Sequence, residues 1–292
     1  MNNTPAIVAA DGHVHVYPAY EIKAVFRNLI QNLDRLAGAA GFAESGTIGN
    51  GIHKLAFLAE SREHDFFSCL KDQDKAIVAN GLEVVSAPDP VCVTVGVRGV
   101  GRVCLVAGRQ IVTRERLEIL GLAMRVKIPD GLPAAEVIQK VVEAGGIPVL
   151  AWSPGKWLFA RGRLVRDLSA SDQAKVLRLG DTTLRPTLWP EPWLMKLARE
   201  RGITVLPGSD PLPFAGEERY AGTYGFIYQG AFDAERPAAS IRQILTGPGA
   251  ITSAGERCSP WAIAWRLKRL RASRQGECRS RSLIDEAERR QS

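Results

Sequence analysis

Short apolar runs alternate with helical stretches along this chain of 292 residues, and a polar residue follows most of the runs. Ile7–Ala10 reads as a buried strand. Residues 21–36 then carry Ile22, Val25, Phe26, Leu29, Ile30, Leu33 and Leu36 at helical spacing. Strand signals recur at Lys54–Ala59, Ile147–Ala151, Lys175–Leu179 and Ile203–Leu206. Helical signals recur at Glu63–Lys71, Ala134–Glu143, Glu191–Arg201 and Ala238–Leu245. Apolar strands separated by helices argue for an α/β fold with a mainly parallel sheet, closed or nearly closed into a barrel. The middle departs from this rhythm. Leu82–Ser86, Val91–Val97 and Val103–Ala107 follow one another directly, the last two joined through Arg98-Gly99-Val100-Gly101-Arg102, a β-hairpin excursion.

In parallel α/β folds, ligands bind where the strands' carboxyl ends converge. His13 and His15 follow the first strand, Glu60 the second, and Glu83 lies in the third. Lys156, Asp181 and Asp210 come just after later strands. Two imidazoles two residues apart on an extended segment point the same way, a pairing that suits Zn, Mn or Fe. The competing reading has one His cap a helix and the other pack in the core. Glu83 sits among Leu82, Val84 and Val85, where a buried carboxylate needs a partner or a metal, although strand alternation can turn it to solvent. Asp210, in Pro207-Gly208-Ser209-Asp210-Pro211, ends a strand at a tight turn, as a metal ligand or as a turn cap.

Asp11-Gly12-His13-Val14-His15 resembles the opening motif of the polymerase-and-histidinol-phosphatase (PHP) superfamily. Gly81-Leu82-Glu83-Val84 is similar to its Gly-x-Glu strand, Gly145–Ala151 to a strand that continues into a ligand His, and Leu206–Asp210 to its last motif. The resemblance implies a distorted β/α barrel of about seven strands that hydrolyses phosphoesters with divalent metals. It implies a metal set of His13, His15, Glu83 and Asp210, joined by Glu60. Three imidazoles of the family pattern are missing: Ala59-Glu60-Ser61 replaces Thr-Asp-His, Trp152 stands for one His and Leu212 for another. Lys156 can bind an anionic group or, carboxylated as in the amidohydrolases, bridge metals. Asp181 can serve as acid, base or ligand, and Arg185 as a fork for phosphate or carboxylate. Against this, Asp181 and Arg185 can form a loop ion pair and Lys156 can lie on the surface.

The net charge of +7 is uneven: residues 257–292 hold ten Lys/Arg against four Asp/Glu, and the remainder 28 against 27. Residues 1–256 are therefore expected to form the metal-hydrolase barrel, and 257–292 a basic helix with a disordered end. In Pro260–Arg271 the tryptophans either pack on the body or, with the basic residues to 281, touch a membrane surface or nucleic acid. No run is long enough for a membrane span or signal peptide, and Cys69, Cys92, Cys104, Cys258 and Cys278 lack zinc-site spacing. A cytoplasmic protein is expected, acting on a small anionic molecule. The expected activity is metal-dependent hydrolysis of a phosphoester, with C–N hydrolysis and a non-catalytic scaffold as rivals.

Overall fold

The computed structural model describes residues 5–42, 51–72, 81–86, 88–247 and 251–273. Strand β1 (Pro5–Val14) leads into helix α1 (Ile22–Ala39), β2 (Ile52–Leu58) and the short α2 (Phe66–Lys71). The excursion follows as β3 (Leu82–Ser86), β4 (Cys92–Val97) and β5 (Gly101–Val106), then β6 (Gly108–Val112) and β7 (Glu118–Leu122). Next come α3 (Ala134–Glu143), β8 (Ile147–Ala151), α4 (Phe159–Leu168), β9 (Arg178–Thr182), α5 (Trp193–Glu200) and β10 (Val205–Gly208). The described part closes with β11 (Tyr224–Ala231), α6 (Pro237–Thr246), β12 (Thr252–Gly255) and helix α7 (260–273).

The strands form two sheets, ordered β12-β11-β1-β2-β5-β4-β3 and β10-β9-β8-β7-β6. This corrects the expectation of a mainly parallel sheet. The pairs β1–β2, β2–β5, β8–β9 and β9–β10 are parallel, but the hairpins β3–β4–β5 and β6–β7, the β7–β8 pair and the returning β11 and β12 are antiparallel. In the hairpins the chain turns back within a few residues and can pair only in that sense, whereas β7–β8 and β11–β12 are joined through α3 and α6 and β11 returns from far along the chain to β1. The stripe read on α1 is the buried one: Val25, Phe26, Leu29, Ile30 and Leu33 have no exposed surface, and the last four join strand residues such as Val93, Val95 and Leu105 in one apolar cluster.

The sheets meet along two seams. At one, Glu60 N–H donates to the Gly108 carbonyl (3.2 Å) and Gln110 N–H to that of Glu60 (2.9 Å), joining the ends of β2 and β6. At the other, β1 presses against β10. A Cβ at Gly12 would stand 2.6 Å from the Pro207 carbonyl oxygen, and one at Gly208 would overlap the backbone of His13. Gly208→Ala is therefore expected to pry the strands apart at a cost of about 1–3 kcal/mol, with His13 displaced. Chemical denaturation would measure the loss.

Three elements fall elsewhere than the sequence suggests. The strand expected at Lys175–Leu179 begins at Arg178, after a 3-10 turn at Asp172–Lys175, so Asp181 lies within β9 rather than beyond it. Helix α4 escapes the pattern because its apolar positions do not form one stripe: Phe159 faces outward, and Val165 and Leu168 with Gly162 carry its buried side. Of the tryptophans of α7, Trp261 is 85% exposed, whereas Trp265 meets the Phe214 ring edge-on (6.5 Å) and lies under the Arg219 guanidinium. Arg266 and Ile263 are the residues of this helix that are buried. The charged end beyond residue 273, with Cys278, lies outside the described residues. Among those described, no helix is long and apolar enough to cross a membrane.

Candidate metal centre

Three of the residues singled out above converge. The Nε2 atoms of His13 and His15 lie 3.0 Å apart, and each is 3.5 Å from Asp210 Oδ1. Among the described residues they are the group whose ligand atoms all fall within 4.8 Å of one another. Both imidazoles are 4% exposed and Asp210 is 8% exposed. The sequence folds this way because β1 runs out between two neighbours. Asp11, fully buried, accepts from His13 N–H (3.0 Å), Ser209 N–H (2.8 Å) and Gly222 N–H (2.8 Å), tying β1 to the loop after β10 and to the turn before β11. Burial pushes its pKa up to about 6, against the pull of those donors. Asp210 N–H in turn donates to the His13 carbonyl (2.9 Å).

Asp210 holds φ at 49°, a left-handed conformation that Asp tolerates better than most residues and that here aims its carboxylate at the imidazoles. Arginine 266, with no exposed surface, secures that loop. Its guanidinium donates to the Asp210 carbonyl (3.3 Å), to Thr183 Oγ1 (2.8 Å) and to both Glu217 oxygens (2.6–3.1 Å), and it lies 4.2 Å over the Tyr220 ring. Glu217, equally buried, accepts the Leu212 N–H (3.0 Å). Burial opposes ionisation of Asp210, but the imidazoles and Arg266 hold its pKa at about 2. Burial lowers the His13 pKa, against the pull of Asp210 and Glu118, and so favours the neutral ring whose lone pair a metal needs. Its Nδ1 has no hydrogen-bond partner.

The donor set suits a transition-metal ion. Ligands about 2.1 Å from a tetrahedral ion stand roughly 3.4 Å apart, close to the observed 3.0–3.5 Å triangle, and three protein ligands leave a position open.

The other residues singled out lie elsewhere. Glu83, expected to bridge metals, stands instead on β3, the far edge of its sheet, half exposed and 3.6 Å from Arg102. Strand order puts β5 and β4 between it and β2, so its carboxylate meets solvent rather than the histidines. Glu83→Ala is accordingly expected to change stability by no more than about 0.5 kcal/mol and to leave metal content unaltered, which elemental analysis would check. Glu60 is buried but spent: it accepts the Phe67 N–H (2.9 Å) at the start of α2 and lies 3.8 Å from Arg109. Asp181 and Arg185 form a buried pair, Arg185 Nε donating to Oδ1 (2.7 Å), while the Tyr224 hydroxyl donates to Oδ2 (2.8 Å). The Arg185 fork expected for substrate is thus taken. Lys156 pairs with Glu118, which also accepts from Ser153 Oγ (3.1 Å). Glu118 was hidden at the head of an apolar run; the polar start of the strand after Leu117 is the signal that could have marked it.

No family model and no curated protein matches the chain. Among solved structures it is similar to PsfC from Pseudomonas syringae PB-5123, with 10% identity over 92% of this chain and 98% of that one and a TM-score of 0.50. At lower TM-scores it is also similar to the lesion-specific endonuclease PfuEndoQ from Pyrococcus furiosus (14%, covering 85% and 57%; 0.47). A third is a two-domain protein from Bacteroides vulgatus containing a predicted PHP-like metal-dependent phosphoesterase (10%, covering 86% and 65%; 0.45). The chain spans less than two thirds of these last two. The likeness to PsfC concerns the fold. The strand bearing Asp11-Gly12-His13-Val14-His15 lies against the strand ending in Gly208-Ser209-Asp210, so the structure brings together two of the motifs in which the sequence resembles the PHP superfamily.

Proposed function

We propose that the chain is a metal-dependent hydrolase, acting on phosphoesters, with His13, His15 and Asp210 as its metal ligands. The observation that carries this is the buried triangle of two imidazole nitrogens and one carboxylate oxygen. A divalent ion there, Zn, Mn or Fe, supplies Lewis acidity toward a water and a phosphoryl oxygen. Asp11 and Arg266 hold the backbones that aim the ligands. The Glu118–Lys156 pair, close enough for Glu118 to bear on His13, sets the charge beside the centre and gives an anionic small molecule an ammonium group to meet. Asp181, clamped by Arg185 and Tyr224, braces the loop after β9.

Strands β1, β2, β6, β7, β8, β9 and β10 follow one another in a ring interrupted at the two seams, which we read as a distorted seven-stranded barrel. Residues 1–256 would form the hydrolase unit and 257–292 its appended helix and tail, with Arg266 reaching inward. The test is elemental analysis of the protein loaded with Zn, Mn or Fe, followed by assay on aryl phosphates and on amides. One bound equivalent with phosphatase turnover supports the reading. Turnover of amides alone favours C–N hydrolysis, and a protein that takes up no metal is a scaffold that has kept the shape of the site.

A further inference from the structure

Single exposed apolar side chains are ordinary, but a group of them on one rim is not. Phe159, Leu188 and Trp261 are 86%, 84% and 85% exposed, and Leu158, Trp189 and Trp193 more than half. The fold gathers them. Helices α4 and α5 follow the parallel strands β8 and β9 and so begin at the same end of the sheet, where a Cβ at Gly162 would touch Leu194. Thr187 N–H donates to the Cys258 carbonyl (3.0 Å) and Arg257 to that of Pro186 (3.1 Å), bringing the start of α7 to the Trp189 loop.

Each of the three helices shows one pattern. An exposed ring stands in the first turn, and an exposed cation follows one or two turns later on the same face: Phe159 then Arg163, Trp193 then Lys196, Trp261 then Lys268. These three cations make no ion pair among the described residues. The backbone of Phe159 is held left-handed, at φ 53°, a conformation unfavourable for a bulky residue, with its ring outward.

We propose that this rim docks onto an anionic lipid surface. Rings at the helix tips would enter the boundary between headgroups and acyl chains. The cations, about 5 Å further back in α4 and α5 and about 10 Å in α7, would lie at the level of the lipid phosphates and just behind it. A single-stranded nucleic acid fits less well, because it stacks bases on rings and sets phosphates along the same groove, and Leu158 and Leu188 offer no ring. A second copy fits less well too, since a twofold axis through the rim would set its unpaired cations against one another. The loop bearing Asp210 follows β10, parallel to β9, so docking brings the candidate metal centre near the headgroups.

Flotation of the full chain with phosphatidylglycerol-containing and with pure phosphatidylcholine vesicles tests this without reference to any activity. The protein is expected to float with the anionic vesicles and to be released by salt. F159S/W193S/W261S should cut binding at least about tenfold with an unchanged melting temperature, and R163E/K196E/K268E should abolish the preference for anionic lipid. Failure of the native protein to float overturns the proposal. So does flotation of the ring variant like the native protein. Loss of oligonucleotide binding or of self-association on the same substitutions, with no lipid binding by the native chain, would assign the rim to those partners instead.

Discussion

Arg266→Met is expected to destabilise the protein by about 3–5 kcal/mol, the cost of stranding a buried carboxylate without its partner. Neither Arg266 nor Glu217 has exposed surface, so water cannot take over the lost bonds. The melting temperature should fall by at least roughly 6 °C. E217Q/R266M should be less damaged than R266M, because the uncompensated charge is then gone, and a double-mutant cycle separates the pair from simple loss of packing. Arg266→Lys keeps the charge but not the fork that reaches Glu217, Thr183 and the Asp210 carbonyl together, so an intermediate loss is expected. If R266M melts like the native protein, the buried network does not hold the Asp210 loop.

His13→Ala/His15→Ala is expected to abolish metal binding and lower any phosphatase turnover about 10³-fold or more, equivalent to about 4 kcal/mol of lost transition-state stabilisation. A folded protein that binds an ion at a hundred times its dissociation constant gains about 2.7 kcal/mol of stability. Adding Zn or Mn should therefore raise the melting temperature of the native chain and leave that of the double variant unmoved. Asp11 keeps its three backbone donors in the variant, so the strand should stay in place. A metal-induced shift that survives the double substitution would place the ion elsewhere.

Much of this centre was legible beforehand. Two histidines at the end of an apolar strand, and an aspartate at a Pro-Gly-Ser turn after another, are local features that a sequence displays, and the structure brings all three together. Glu83 shows where such reading fails. Its apolar neighbours made burial plausible, but whether a strand lies at the centre or the edge of a sheet depends on pairing order, which no local pattern records. The sequence leaves Asp181 and Arg185 open both as site residues and as an ion pair. A spacing of four residues allows either, and only the approach of Tyr224 from β11 shows the carboxylate fully occupied.

The sequence by itself determined the α/β character, the face that α1 buries and the three ligand candidates, because hydrophobic period and turn chemistry act over a few residues. The tertiary structure decided the mixed sheets, the seam where Gly12 and Gly208 let β1 and β10 touch, and the use of Arg266 as an internal brace. Arg266 lies in a basic helix that reads as solvated surface. Its burial depends on Glu217, Thr183 and Asp210, which lie 49 to 83 positions away along the chain and become its neighbours only on folding.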